Sequence, residues 1–365
     1  MAELLARGLV LTPTGPVPGE VWADRGTIVE VRPAELPDGP PHWIAPGSID
    51  LQVNGSHGVD VATAPHRIGE LAARLPVEGV TAFLPTVVTG PDHRRQAALD
   101  IGTAMSVPAG AAVPLGWHLE GPAISPARRG AHPTEHLREP DAVAGERWTR
   151  ARGVTMVTLA PERPGALELI AELTAAGVVV ALGHTDADAA QFQAGLDAGA
   201  THVTHLFNAM RPFGHRDPGP IGVTLADETV TAGLICDLLH VDPVAIRMAW
   251  RALGPGRFVL VSDAVAARGT GPHPDGVRNA DGVLAGSTLA LDAAVRNLVA
   301  VTGASVADAV RTVTSTPARV LGLSDRGRLV AGARADVTVL DRQLRVVEVY
   351  VGGEPGVDAP PARTR

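Results

Sequence analysis

The 365-residue chain contains no lysine: all 31 of its Lys/Arg positions are arginine. Chemistry built on a lysine side chain is therefore excluded. That removes Schiff-base and pyridoxal-phosphate enzymes, P-loop nucleotide hydrolases and any metal site bridged by a modified lysine. Cysteine is nearly absent too. Cys236 stands alone, so neither an intrachain disulfide nor a Cys-rich zinc module can form. A single cysteine fits a reducing, cytoplasmic setting. Aromatic residues make up only 3% of the chain, which leaves Ala, Val and Leu to build most of the core. No uncharged apolar run reaches about 18 residues, and the first eleven positions carry Glu3 and Arg7. Neither a membrane span nor a signal peptide is expected. A net charge of −8 argues against a nucleic-acid partner, whose phosphates call for a basic surface.

What the chain does have is a repeated pattern. Short apolar segments end in polar residues and are followed by Ala/Leu-rich helical stretches. Eight such segments read as strands, at 49–54, 80–85, 115–120, 154–159, 178–184, 202–206, 233–237 and 258–263. Strands separated by helices imply a parallel sheet, and eight of them match a closed (β/α)8 TIM barrel. An open doubly wound sheet is the alternative, but no G-x-G-x-x-G opens the first helix. The ends read differently. Segments 4–11, 20–22 and 27–32, with a turn at Asp24-Arg25-Gly26, and segments 336–340 and 346–351 look like short strands. Neither end can bury a core alone. Residues 1–46 plus 327–365 are expected to form one small β-sandwich domain built from both termini, with 47–326 as the barrel. The Pro-rich tail 353–365 reads as disordered.

In a (β/α)8 barrel the active site lies at the C-terminal ends of the strands. Here those ends carry Gln52 and Asn54, Glu120, His184, His205, Asp237 with His240, and Asp263. One carboxylate and two imidazoles suffice to hold a catalytic Zn²⁺ with a coordination position left for water. Asp263 could then take a proton from that water and pass it to a leaving group. His202 and His205 lie three apart on one strand and point to opposite faces, so only His205 is assigned to the site. His118, two residues before Glu120, shares its face one layer deeper. It reads as core or as a support for the ligands. His42, His66, His93 and His273 read as surface residues.

At this level of detail the motifs form a pattern. Residues 45–55, 118–122 (His-Leu-Glu-Gly-Pro), 128–132, 182–185, 204–210 (Thr-His-Leu-Phe-Asn-Ala-Met), 260–264 and 284–288 resemble the amidohydrolase superfamily. Within it they are similar to the branch that deacetylates phosphorylated amino sugars. The resemblance implies conversion of N-acetylglucosamine 6-phosphate to glucosamine 6-phosphate and acetate. A related amidohydrolase acting on another N-acyl sugar, N-acyl amino acid or cyclic amide is the alternative; a barrel that only binds the sugar phosphate would not need the ligand set. The resemblance also implies roles. Glu120, His184 and His205 would bind the metal and Asp263 would be catalytic. His132 would contact the substrate near the scissile amide. The backbone amides of Asn208 and Ala209 would meet the phosphate, helped by Arg216 and His240 reaching in from a neighbouring subunit of a homodimer.

Strand one bears on the metal count. Many amidohydrolases place His-x-His there for a second metal, and this chain has Gln52-Val53-Asn54. Amides are poor zinc ligands. One divalent metal per subunit is therefore expected, most readily Zn²⁺, with Fe²⁺, Mn²⁺ or Co²⁺ also suited to the donors. Gln52 and Asn54 would border a water or a weak second-metal site, to which His57 could add an imidazole. Two departures from the branch stand out. Leu238 replaces a glycine near the phosphate end. Asp186 sits beside His184, where an N-cap role is expected. The Gly/Pro-rich segment between Asp263 and Gly286 reads as a short lid. Lacking lysine, the chain is also excluded from the subtype whose two metals share a carboxylated lysine.

Overall fold

Eight apolar segments form strands that pair in parallel, each with the next in sequence. They are Ser48–Val53, Val80–Val88, Trp117–Glu120, Val154–Leu159, Val179–Leu182, His202–Val203, Thr231–Leu234 and Phe258–Leu260. Most of their side chains are buried, as expected of barrel strands whose outer face packs on the crossover helices and whose inner face fills the barrel. The barrel read from the sequence is present: the third and fourth strands end where expected, the second runs three residues further, and the other five end one to three residues early. Glu120 lies on its strand, whereas His184, His205, Asp237, His240 and Asp263 lie in the loops that follow theirs. The computed structural model describes residues 1–36 and 39–357.

The first and eighth strands do not ladder with each other along their length. Main-chain atoms of the 312–313 turn stand between them at the lower end. Leu260 N–H donates to Thr312 O at 3.2 Å and Ile49 N–H to Val313 O at 2.7 Å. Higher up, Asp50 Oδ1 accepts the N–H groups of Gln52 and Ser262, each at 3.2 Å. The Ser262 hydroxyl donates to Gln52 O at 3.3 Å, and Val53 bridges to Ala264. Asn54 N–H and Gly55 N–H both donate to Ala264 O, at 2.8 and 2.9 Å. A buried carboxylate and a serine thus close the barrel where the backbone ladder is missing.

Strands from both ends of the chain join in one seven-stranded mixed sheet. Its order runs Glu354–Pro355, Val346–Val351, Val337–Leu340, Trp43–Pro46, Glu3–Thr12, Gly15–Asp24, Thr27–Pro33. Trp43–Pro46, which the sequence reading missed, is the joint. It pairs in parallel with Leu9 and Val10 and antiparallel with Val337–Leu340. The sheet packs Val10, Val21, Ile28 and Ile44 against Leu329 and Val337 in a core of its own. The tail is ordered as far as 357. Tyr350 and Val351 pair with Glu354–Pro355, and Val357 N–H donates to Gly110 O at 3.1 Å. The expected disorder beyond 357 lies outside the described residues. Among the described residues, no helix is long and apolar enough to cross a membrane.

Glu20 is the charged centre of the small sheet. It is 3% exposed and accepts hydrogen bonds from Trp22 Nε1 at 2.8 Å, Arg32 Nε at 2.9 Å and Arg7 Nε at 2.6 Å. The Trp22 and Arg32 donors, with Arg7, hold its carboxyl down at about 2, against an ordinary 4.5. A group with a lowered folded pKa stabilises fully above its unfolded value, and that contribution is lost as pH falls through the folded value. Glu20→Gln is therefore expected to lower the melting temperature at about pH 7. The deficit relative to the parent should shrink as the pH falls from about 5 to about 2 in thermal unfolding monitored by circular dichroism.

Candidate active site

Three barrel strands deliver three side chains to one point. Glu120 ends the third strand, while His184 and His205 follow the fifth and sixth. Glu120 Oε1 lies 3.1 Å from His184 Nε2 and 3.0 Å from His205 Nε2, and the two ring nitrogens are 3.1 Å apart. All three side chains are buried. His184 Nδ1 is 3.0 Å from Arg128 O. A carbonyl can only accept, so Nδ1 carries the proton and Nε2 presents its lone pair to the cluster. That arrangement, an imidazole fixed by a backbone carbonyl behind it, is the usual support of a metal-ligating histidine. Two nitrogen lone pairs and a carboxylate oxygen converging at this spacing fit one divalent metal ion. Burial alone would raise the Glu120 carboxyl, but the adjacent His184 and His205 imidazoles hold it well below the usual carboxylate range.

The backbone is bent to achieve this. His184, His205 and Asp263 all have positive φ, at 49°, 27° and 48°. Non-glycine residues in this region cost of order 1 kcal/mol or more each, and persist only where surrounding bonds impose them. For His184 the imposing group is Glu162. Its Oε2 accepts the Thr185 hydroxyl at 2.6 Å and its Oε1 the Asp186 N–H at 2.7 Å. The sequence reading missed Glu162, which lies three residues past the fourth strand, one of two strand ends to which it assigned no residue. Thr185 N–H in turn donates to Ala209 O at 3.1 Å, which ties the loop after strand five to the loop after strand six.

Asp263 follows the eighth strand and is buried beside the cluster. Burial, and then the Glu120 charge, raise its carboxyl to about 7. Asn54 Nδ2 donates to Asp263 Oδ1 at 2.6 Å, and Gln52 Nε2 donates to Glu120 Oε1 at 3.0 Å. Both strand-one amides therefore turn N–H groups, not lone pairs, toward the carboxylates. His57 lies outside the cavity. It is exposed, with its ring near Gly269 and Nδ1 2.7 Å from Ser56 Oγ. Among the described residues, only Glu120, His184 and His205 form a group able to hold a metal.

Beneath the cluster a hydrogen-bonded row crosses the barrel. His118 Nδ1 is 3.1 Å from Leu51 O, so Nδ1 is the protonated nitrogen. Nε2 then accepts from Thr158 Oγ at 2.8 Å, and Thr158 accepts from Thr204 Oγ at 2.7 Å. Burial lowers His118 to about 4, keeping it neutral. His202 is buried against Thr231 Oγ at 2.8 Å and takes no part in the site.

The mouth above is a cavity of about 510 Å³. Its wall includes His132, Asn208, Ala209, His240 and the lid residues Val283–Gly286. The His132 ring lies edge-on to His184 with centroids 4.4 Å apart, and burial followed by the His184 charge lowers it to about 3. Four expectations need correction. His240, expected to reach in from a neighbour, lines the cavity of its own chain, its Nδ1 bound to Asp237 Oδ2 at 2.6 Å. The Asn208 N–H is already donated to His205 O at 3.0 Å, whereas the Ala209 N–H has no hydrogen-bond partner among the described residues. Asp186 is paired with Arg128 Nε at 2.7 Å, and the helix N-cap is Asp188, in a capping box with Gln191. Leu238 is an exposed residue at φ 66°, and its side chain does not line the cavity. Arg216 is exposed and also lies off the cavity wall.

Comparison with known proteins agrees with this geometry. The amidohydrolase family matches residues 43–356. An N-acetylglucosamine-6-phosphate deacetylase of Bos taurus is 42% identical over 339 residues, covering 85% of this chain and 82% of that protein. An N-acetylgalactosamine-6-phosphate deacetylase of Escherichia coli O157:H7 is 38% identical over 346 residues, covering 89% and 91%. Among solved structures, a mutant N-acetyl-D-glucosamine-6-phosphate deacetylase of Mycobacterium smegmatis in complex with N-acetyl-D-glucosamine-6-phosphate superposes with a TM-score of 0.85. It is 35% identical, covering 97% of this chain and 99% of that one.

Because Glu162 holds the residues next to His184, its loss should reach the cluster without removing a ligand. Glu162→Ala is expected to weaken divalent-metal affinity by roughly 10- to 100-fold. Competition with a chromophoric chelator measures this, and Glu162→Gln should fall between parent and Glu162→Ala.

Proposed function

The chain belongs to the amidohydrolase family, and on that premise we propose that it hydrolyses N-acetylglucosamine 6-phosphate to glucosamine 6-phosphate and acetate. The observation that carries this is the meeting of Glu120, His184 and His205 beside a buried Asp263 in one cavity. A divalent metal held by those three residues, zinc by preference, would polarise a carbonyl and acidify a water.

The protein's own groups account for the remaining steps. Asp263 takes the proton of the attacking water and delivers it to the departing amine, so one carboxylate serves as base and then as acid. The Asn54 amide fixes which Asp263 oxygen is free to do this. His132 faces the acetamide from the opposite wall. The Ala209 N–H and the Asn208 side chain meet the phosphate, and His240, held by Asp237, meets the sugar. The cavity wall contains one arginine, Arg128, already paired with Asp186. A phosphate dianion favours a guanidinium fork. Exposed Arg216, supplied by the partner of a homodimer, would complete the site. The single buried cysteine and the absence of a membrane-crossing helix among the described residues are in keeping with a cytoplasmic enzyme.

A second reading is favoured by one relative, the E. coli protein named for the galactosamine epimer. Acetate release from the two 6-phosphates and from unphosphorylated N-acetylglucosamine decides between them. The gluco 6-phosphate is expected to be the best substrate and the unphosphorylated sugar to be nearly inert. A faster reaction on the galacto compound would favour the second reading.

Asp263→Asn should keep its metal by elemental analysis while turnover falls by roughly 10²- to 10⁴-fold. Near-normal turnover in that variant would remove Asp263 from the mechanism. The shared site has its own test. Arg216→Ala and Asp263→Asn, each weak alone, should recover activity when mixed and allowed to exchange subunits, because one site of the hybrid then carries neither change. Absence of recovery in verified hybrids would count against Arg216 acting across the dimer.

A further inference from the structure

At the end of the barrel opposite the active site lies a second cleft, of about 440 Å³. It opens where the small sheet meets the N-terminal ends of the barrel strands. Pro46 just precedes the first barrel strand, and Gly256 just precedes the eighth. Three arginines line it: Arg311, Arg319 and Arg328. Not one of its lining residues is acidic, in a chain with a net charge of −8.

The guanidinium groups are held in place by main-chain carbonyls from three different segments. Arg311 Nη2 donates to Pro13 O at 3.0 Å, Arg319 Nη2 to Gly256 O, and Arg328 Nη2 to Ser324 O at 2.6 Å. A guanidinium has five N–H donors, so each arginine retains most of its donor capacity. Arg311 has a carboxylate at 3.5 Å, that of Asp308. Arg319 and Arg328 form no ion pair among the described residues. Arg311, Ser315 and Arg319 are spaced four residues apart. The hydroxyls of Thr12, Thr314 and Thr316 are committed to backbone carbonyls, whereas that of Ser315 is not.

We propose that this cleft binds a small phosphorylated molecule through Arg311, Arg319 and Arg328, independently of the catalytic cavity. Guanidinium forks match the oxygens of a phosphate better than any other common anion-binding side chain. The volume falls in the range of small-ligand pockets, and it admits a compact molecule rather than a polymer. Carbonyl anchoring of each arginine lowers the ordering cost of binding.

Hydrogen exchange with mass-spectrometric readout tests the site, using inorganic phosphate and glycerol 1-phosphate as probes at matched ionic strength. Millimolar amounts of either should slow exchange across residues 307–319, where sodium chloride does not. The double variant Arg319→Ala/Arg328→Ala should lose that protection and show at least a tenfold weaker dissociation constant by calorimetry. Its acetate release in phosphate-free buffer should be unchanged. Tighter binding of the ester would mean that the apolar floor of Leu11 and Val310 contributes. Equal binding would make the phosphate group itself the ligand, and either result supports the site. Protection absent at millimolar phosphate, reproduced by chloride, or retained in the double variant would overturn it.

Discussion

Barrel closure is the constraint on which the rest depends. A parallel sheet of eight strands is complete only when its last strand meets its first, and here the main chain makes that join directly only at the upper end, through Ala264 O. Below that point Asp50, Ser262 and the inserted 312–313 turn make it. The same seam carries Asn54 on one side and Asp263 on the other. The contact that orients Asp263 is therefore the upper end of the interaction that closes the fold. Stability and chemistry are coupled at this edge: a change that loosens the seam moves the proton carrier.

The charge balance of the site follows from burial. Glu120 alone would resist ionisation so deep in the barrel, and the two imidazoles make its anion tolerable. Asp263, buried close to Glu120 with one amide donor from Asn54, is pushed the other way. Two carboxylates in one cavity are thus driven apart in proton affinity, one to hold and one to exchange. Environments that separate paired titratable groups commonly mark an acid–base division of labour. Below them burial keeps the His118 imidazole neutral, and the Thr204–Thr158–His118–Leu51 row orders the layer on which the ligands rest.

The barrel and the ligand set were legible because both are written in short-range terms. An apolar run followed by a polar residue identifies a strand and its mouth-facing end, which led to Glu120, His184, His205 and Asp263. Features that depend on two distant loops were not legible. Glu162 matters only because it meets the Thr185–Asp186 turn, and Asp186 is harmless to an anion only because Arg128 neutralises it. His240 was expected to serve a neighbouring subunit and instead lines the cavity of its own chain, because a motif does not say which chain's cavity its side chain faces. Trp43–Pro46 was missed because it is a four-residue strand whose partners come from opposite ends of the chain.

That last strand has a consequence for biosynthesis. Its parallel neighbour, Leu9–Val10, is made before it, but its antiparallel neighbour at Val337–Leu340 follows about 290 residues later. At about 5–20 residues per second, the ribosome leaves one edge of Trp43–Pro46 without a partner for roughly 15–60 s. Ile44, which becomes fully buried, waits through the same interval. An unpaired strand edge is a template for association with other chains. A nascent molecule therefore passes through a long window in which it can be captured by chaperones or can aggregate, and that window closes only when nearly all of the chain has been synthesised.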